Sequence, residues 1–267
     1  MGCVYSNVQV RPIGCLLKTL EGHTGGVICI CCSPDLSIIA TGAEDKTIRL
    51  WSFEEPNENI KTLVGHTGYV NCMIINNTSL FTGSADKTIR KWDLKTYVCN
   101  MILQGHSSLI NRLLLVDDLL FSSSYDKTVR CWHCQSGDSL KVFQGHKRGV
   151  YPLYFIIANV SYEHDSKKII NFNGSRLLLT GSADATSKIW LFDTSRCLHT
   201  LKGHFGAVIC ISVFQLQIFT GSADKTIRSW SLTDGTELQM FKGHQGPVLC
   251  IYVRPCVYSI FKSNKSS

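Results

Sequence analysis

No run of eighteen apolar residues free of charge occurs in the chain, so no segment has the composition of a membrane-spanning helix. The opening residues, MGCVYSNVQVRP, lack the apolar stretch of a secretory signal, and the expected setting is the cytosol. Helix signals are missing as well, because the apolar runs are short and bounded by Gly, Asp, Asn and Ser. A disulfide framework is not expected: thirteen cysteines, an odd number in a chain without a signal, point to reduced thiols. A net charge of +7 is modest for 267 residues, and its meaning depends on where the charges lie. What the chain does have is apolar content, 44%, enough to build the core of one large domain or two small ones.

It also has a repeat. Gly-His pairs occur at Gly22-His23, Gly65-His66, Gly105-His106, Gly145-His146, Gly203-His204 and Gly243-His244, with the histidines 43, 40, 40, 58 and 40 residues apart. After each of the first five comes an aspartate six residues before a tryptophan: Asp45 and Trp51, Asp86 and Trp92, Asp126 and Trp132, Asp184 and Trp190, Asp224 and Trp230. Four residues before each aspartate stands a hydroxyl: Thr41, Thr82, Ser122, Thr180 and Thr220. Segments such as VICI, LFTG, TIRKW and KTLV between these marks read as strands. Four strands in about forty residues is the signature of one propeller blade.

On these registers the chain resembles the WD40-repeat β-propeller family over nearly its whole length. The resemblance implies an all-β fold of five complete four-stranded blades plus an incomplete sixth. Residues 1–13 are then a tail and 14–267 the propeller, with repeats at about 15–53, 60–94, 99–134, 140–192 and 197–232 and a partial one at 238–261.

A hydroxyl, a histidine and an aspartate suggest a nucleophile, a base and its orienter. But an enzyme needs one such set, and here it occurs five times in one register, each time with a tryptophan. The resemblance implies a buried network instead, in which His23, His66, His106, His146 and His204 bridge their aspartates and hydroxyls and the hydroxyl meets the indole N–H. Such networks specify packing when every member is satisfied. The expectation is a chain that is not an enzyme and needs no cofactor or metal.

Cysteines follow the same register. Cys29, Cys72, Cys210 and Cys250 all lie six residues after a repeat histidine and read as small, reduced core residues. Cys131 and Cys134 form one C-x-x-C around Trp132, but Cys134 occupies the place of Phe53, Leu94, Phe192 and Leu232 and no second pair stands at zinc spacing, so packing is the expectation. Basic residues are also distributed by the repeat, as Lys46 with Arg49, Lys87 with Arg90, Lys127 with Arg130 and Lys225 with Arg228. They read as a solvated ring and give no support to nucleic-acid binding.

In propellers of this family, the residues three and five places after the histidine, and the one before the turn aspartate, face the narrow end of the channel where peptides dock. The resemblance therefore assigns that rim to Glu44, Tyr69, Asn71, Leu109, Asn111, Tyr125, Gly149 and Tyr151, with Ala207, Ile209, Pro247 and Leu249 making an apolar half. Tyrosines on rigid strands are favoured binding anchors, and the plainer reading is that they fill the channel mouth. Phosphodegron-reading receptors of ubiquitin ligases resemble the chain in their repeats but carry arginines at the rim. Here the fifth position reads Ile28, Asn71, Asn111, Tyr151, Ile209 and Leu249. No F-box is expected before Gly22, so a substrate-receptor role is expected to need another adaptor and a non-phosphorylated target.

Three further segments stand apart. SYEHDSKKIINFNGSR, the heart of an insertion of about eighteen residues in the fourth repeat, is either a second contact site or a tolerated surface loop. MGCVYS fits M-G-x-x-x-[ST], with Gly2 as a myristate acceptor and Cys3 beside it for palmitate, or is a chance start. In the sixth repeat VLCIYV reads as a first strand and CVYSIF as a second, with no aspartate-tryptophan pair after them. CLLKTL, near the start, resembles the outer strand that closes the ring in this family, but the third strand it should join is missing, which would leave edges exposed. The expectation is a truncated form of a longer propeller.

The function read from all this is a non-enzymatic scaffold, cytoplasmic and in one reading lipid-tethered, that binds proteins or peptides on the narrow face and takes no nucleic acid or small-molecule substrate. The alternative is a substrate-recruiting adaptor of a ubiquitin ligase or signalling complex. A hydrolase stands third.

Overall fold

The computed structural model describes residues 19–52, 59–76, 78–158 and 174–253. Twenty strands form five antiparallel sheets of four, each a simple meander, and no helix occurs among the described residues. The first sheet holds β1 (Val27–Cys32), β2 (Ile38–Ala43), β3 (Ile48–Ser52) and β4 (Asn59–Leu63). The second holds β5 (Val70–Ile75), β6 (Ser79–Ser84), β7 (Ile89–Asp93) and β8 (Cys99–Leu103). The third is β9 (Ile110–Val116), β10 (Leu119–Ser124), β11 (Val129–His133) and β12 (Ser139–Phe143). The fourth is β13 (Val150–Ala158), β14 (Ser175–Ser182), β15 (Thr186–Leu191) and β16 (Arg196–Lys202), and the fifth β17 (Val208–Phe214), β18 (Gln217–Ser222), β19 (Ile227–Ser231) and β20 (Glu237–Phe241).

Each blade turns from its second to its third strand through an Asp-Lys-Thr or Asp-Ala-Thr sequence. The residue after the aspartate takes the left-handed conformation at Lys46, Lys87, Lys127, Ala185 and Lys225, with φ between 64° and 74°. That conformation is costly for a residue with a Cβ. The aspartate offsets the cost, since its carboxylate accepts the backbone N–H and the hydroxyl of the threonine two residues on, as Asp86 does from Thr88 at 2.9 and 2.7 Å.

The core lies between blades rather than within them, because a four-stranded sheet has two apolar faces and must bury both. Four clusters mark the four junctions. Ile48, Leu50 and Leu63 meet Val70, Leu80 and Trp92; Phe81, Ile89 and Leu103 meet Ile110, Leu120 and Trp132; Phe121, Val129 and Phe143 meet Val150, Leu178 and Trp190; Leu179, Ile189 and Leu201 meet Ile218 and Trp230. The inner strands β1, β5, β9, β13 and β17 stand side by side in that order.

The two end faces have no such cover among the described residues. Phe241, in the place of the buried Leu63, Leu103, Phe143 and Leu201, is 38% exposed, and Val27 and Ile30 of β1 are exposed. VLCIYV, expected as a strand, is not one: residues 248–253 form no ladder, because a lone segment has no partner to complete its hydrogen bonds. It is held at one point, where Val248 N–H donates to the Ser222 carbonyl and Val248 is buried. Gly2, Cys3, most of the fourth-repeat insertion, most of CLLKTL, Phe53 and CVYSIF lie outside the described residues.

Candidate functional site at the channel mouth

The five histidine-hydroxyl-aspartate sets assemble as one repeated network. In every blade histidine Nδ1 lies 2.6 to 3.0 Å from the aspartate Oδ2. Histidine Nε2 lies 2.8 Å from the hydroxyl. The tryptophan indole N–H donates to that same hydroxyl at 2.8 to 2.9 Å. With the indole as donor, the hydroxyl proton goes to Nε2 and the Nδ1–H goes to the carboxylate, so a neutral imidazole satisfies every atom. Burial of His204 does favour the neutral ring, pulling its pKa below the ordinary value against the pull of Asp224.

Each aspartate also accepts the backbone N–H of the residue after the histidine, Thr24, Thr67, Ser107, Lys147 or Phe205. Burial works against these carboxylates, but the hydrogen bonds from histidine and threonine outweigh it and hold all five well below the usual carboxylate range. The hydroxyls are shut away: Thr82, Ser122, Thr180 and Thr220 have no exposure, and Thr41 has 6%. A nucleophile must reach its substrate, and these cannot. The glycine before the histidine is needed for close approach. A Cβ on Gly105, at φ 153°, would sit 3.2 Å from the Trp132 ring and 3.0 Å from Arg130 Nη1.

The network sets the end of the blade at which the rim stands. Because histidine and turn aspartate join, the start of each inner strand lies beside the turn between the second and third strands. A backbone bond fixes this pairing in each blade, with the N–H before the aspartate donating to the carbonyl three residues after the histidine: Glu44 to Gly26, Ala85 to Tyr69, Tyr125 to Leu109, Ala183 to Gly149 and Ala223 to Ala207. The rim positions therefore do come together at one end.

A β-bulge then aims the fifth residue after the histidine. The ladder skips Ile28 between Val27 and Cys29, Asn71 between Val70 and Cys72, Asn111 between Ile110 and Arg112, and Ile209 between Val208 and Cys210. In the fourth blade it skips Tyr151 together with Pro152, which has no N–H to pair. An unpaired bulge residue re-aims its side chain. Ile28, Asn71, Asn111, Tyr151 and Ile209 all line one cavity of about 750 Å³ that draws residues from all five blades.

Asn71 and Asn111 have a structural task there. The Asn71 amide donates to the Ile110 carbonyl at 2.7 Å and the Asn111 amide to the Val150 carbonyl at 2.6 Å, so each ties its blade to the next. The thiols of Cys29 and Cys210 make the corresponding contact to the Val70 and Val248 carbonyls, both at 3.5 Å. The tyrosines are freer. Tyr69 is 38% and Tyr125 53% exposed, and the Tyr125 ring lies against Gly149 of the next blade, where a Cβ would approach it to 2.9 Å. Burial, and then the nearness of Tyr125, raises the pKa of Tyr151 and keeps its phenol a donor at neutral pH. Glu44 is exposed and bends back to accept from Gly26 N–H at 3.3 Å. Leu109 is half-buried.

Two readings of the sequence change. The basic ring is not uniformly solvated: Lys46, Lys87, Lys127 and Lys225 are exposed, but Arg228 is buried against Glu237 at 2.6 Å, and Arg49 and Arg130 lie over Trp51 and Trp132. The register cysteines are not uniformly buried, since Cys250 is exposed where no ladder covers it. Cys131 and Cys134 do pack in the core, each next to a blade junction, and burial raises their thiols to about 12 and about 11. One mouth residue escaped the sequence reading: Arg112 lines the cavity, and its signal was an exception in the register, an arginine where most other repeats carry cysteine.

Comparison with known proteins agrees with this architecture. The family described as "WD domain, G-beta repeat" matches residues 14–52, 57–93, 97–133 and 195–231, leaving out the blade interrupted by the insertion. The chain is 48% identical over 199 residues to human WD repeat-containing protein 86, a match covering 74% of this chain and 52% of that protein. It is 34% identical over 61 residues, 21% of this chain and 12% of the other, to the nuclear distribution protein PAC1 of Candida dubliniensis. The chain thus spans about half of the first of these relatives and far less of the second. Among solved structures it resembles the computationally designed protein Ika8, with a TM-score of 0.73 at 25% identity, covering 89% of this chain and 68% of the other. Five meander blades, the repeated buried network and the matched repeats together place the chain in the WD40-repeat family.

Proposed function

We propose that the chain is a non-enzymatic interaction module that takes protein segments across the channel mouth. WD40-repeat proteins generally serve as protein-interaction scaffolds. The observation that carries the reading to this face is the bulge repeated in every blade, which turns a side chain from each inner strand into one cavity beside Tyr69 and Tyr125. Rigid strands present these rings, so little conformational freedom is lost when a partner covers them. The burial of the five hydroxyls supports the non-enzymatic part. The test is capture of partners by the chain and by a variant with Tyr69, Tyr125 and Tyr151 changed to alanine and an unchanged circular dichroism spectrum. Loss of partners in the variant alone is expected, and identical catches would refute this face. A lipid-tethered cytoplasmic form belongs to the same proposal and rests on the MGCVYS start; absence of label at Gly2 from a tagged myristate in cells removes it.

A further inference from the structure

The sixth residue after the repeat histidine is Cys29, Cys72, Pro152, Cys210 and Cys250 in five repeats, and Arg112 in the third. Arg112 resumes the ladder directly after the bulged Asn111, paired with Ser123 of the next strand. It is exposed to the cavity it lines with Asn71, Asn111 and Tyr151. Its position is central, because the thiols of Cys29, Cys72 and Cys210, on three other blades, all lie within reach of its charge.

Nothing in the cavity answers that charge. The other lining residues, among them Val27, Ile28, Ile30 and Ile209, are uncharged, and Arg112 has no hydrogen bond or ion pair among the described residues. Arg228, by contrast, is paired with Glu237. The charge around the mouth has the same sign. The turn lysines Lys46, Lys87, Lys127 and Lys225 stand at this end of their blades, with Lys147 and Arg148 on the loop entering β13. The turn aspartates at this end are already bound to their histidines, which leaves Glu44 as the acid among the rim positions.

We propose that the mouth receives an acidic side chain, aspartate or glutamate, of the bound protein segment, its carboxylate lying on the Arg112 guanidinium with the Tyr151 hydroxyl as a further donor. This deepens the reading of the mouth as a peptide-binding face and rests on it. A guanidinium matches a carboxylate through two parallel N–H···O bonds. The apolar walls strengthen that contact relative to water. A single arginine suits a singly charged carboxylate; a phosphate dianion calls for a second cation, and the lining supplies none. The surrounding lysines add attraction at long range that falls with salt.

The probe is an immobilised library of random decapeptides with one central position fixed as Glu, Gln, phosphoserine or Lys, offered to the full chain. The Glu pool should be retained over the Gln pool by on the order of tenfold, the discrimination of one charge-assisted pair. Replacing the arginine with the residue most other repeats hold there, R112C, should abolish that preference while leaving the thermal midpoint unchanged, and R112K should keep part of it. No Glu-over-Gln preference in the unaltered chain, a preference that survives R112C, or phosphoserine retained above Glu would each overturn the proposal. If peptides bind without charge preference and are lost on changing Tyr69, Tyr125 and Tyr151 to alanine, the mouth remains a binding face and the acidic anchor falls. If no pool is retained at all, both fall.

Discussion

Replacing Thr82 with valine removes one oxygen and nearly nothing else, and the consequence can be worked out atom by atom. Thr82 has no exposure; its hydroxyl accepts from the Trp92 indole at 2.9 Å and lies 2.8 Å from His66 Nε2. Valine keeps the branched shape, so no cavity opens. What it leaves is an indole N–H without an acceptor and an imidazole nitrogen without a donor, in residues that are 2% and 5% exposed. A buried polar group stripped of its partner costs about 1 to 3 kcal/mol, so two in one blade should cost about 2 to 6 kcal/mol. The assay is urea unfolding followed by far-ultraviolet circular dichroism. Trp92→Phe alone and combined with Thr82→Val completes a double-mutant cycle, and because phenylalanine has no N–H to strand, the pair should fall short of the sum by about 1 kcal/mol or more. A Thr82→Val change under about 0.5 kcal/mol, or strict additivity in the cycle, would refute the claim that these sets act as satisfied networks.

Two other outcomes are expected. Gly83→Ala should destabilise by about 1 to 3 kcal/mol, since its Cβ would sit 2.7 Å from both the Cys72 sulfur and Ile110 Cγ2 at a blade junction, whereas Gly246→Ala, with nothing within 4 Å, should stay within about 0.5 kcal/mol; equal urea midpoints for the two would contradict the placement of the core. Stability should also fall with acid. The five turn aspartates titrate lower in the folded chain than unfolded, so their contribution is full above about pH 4 and is lost as pH drops through their folded values. His204 titrates lower folded than unfolded too, so protonation below about pH 6.5 favours the unfolded chain, and a urea midpoint that rises between pH 7.5 and 5.5 would contradict this.

The blades and the five networks were legible in the sequence because both obey a local rule. Turn aspartate, strand hydroxyl and tryptophan are fixed within eleven residues of each other, as in Thr41 to Trp51, and in every repeat but the interrupted fourth the histidine precedes the hydroxyl by 16 or 18 residues. What was not legible depends on partners far along the chain. Asn71 reads as a free rim amide until the Ile110 carbonyl, 39 residues later, is seen to take its hydrogen bond. VLCIYV has the composition of a strand, but a strand is a property of a pair, and its neighbour in the ladder is absent from the described residues. Arg112 could be found as an exception to the register, yet its lack of a partner is visible only when the five inner strands enclose the cavity. The interrupted fourth repeat shows the reverse case. The family match passes over it, but Gly145 to Phe192 hold the same network as the others, because the insertion falls between β13 and β14 and leaves the register of both intact.

The most direct test of the binding face is photo-crosslinking from two ends of one blade. A benzophenone amino acid at Tyr125, on the channel mouth, and at Ser136, exposed in the turn between β11 and β12 at the opposite end, would be irradiated in cell extract and the attached peptides identified by mass spectrometry. The account predicts that Tyr125 captures defined peptide segments and that Ser136 does not. Defined segments attached at Ser136, with none at Tyr125, would contradict it.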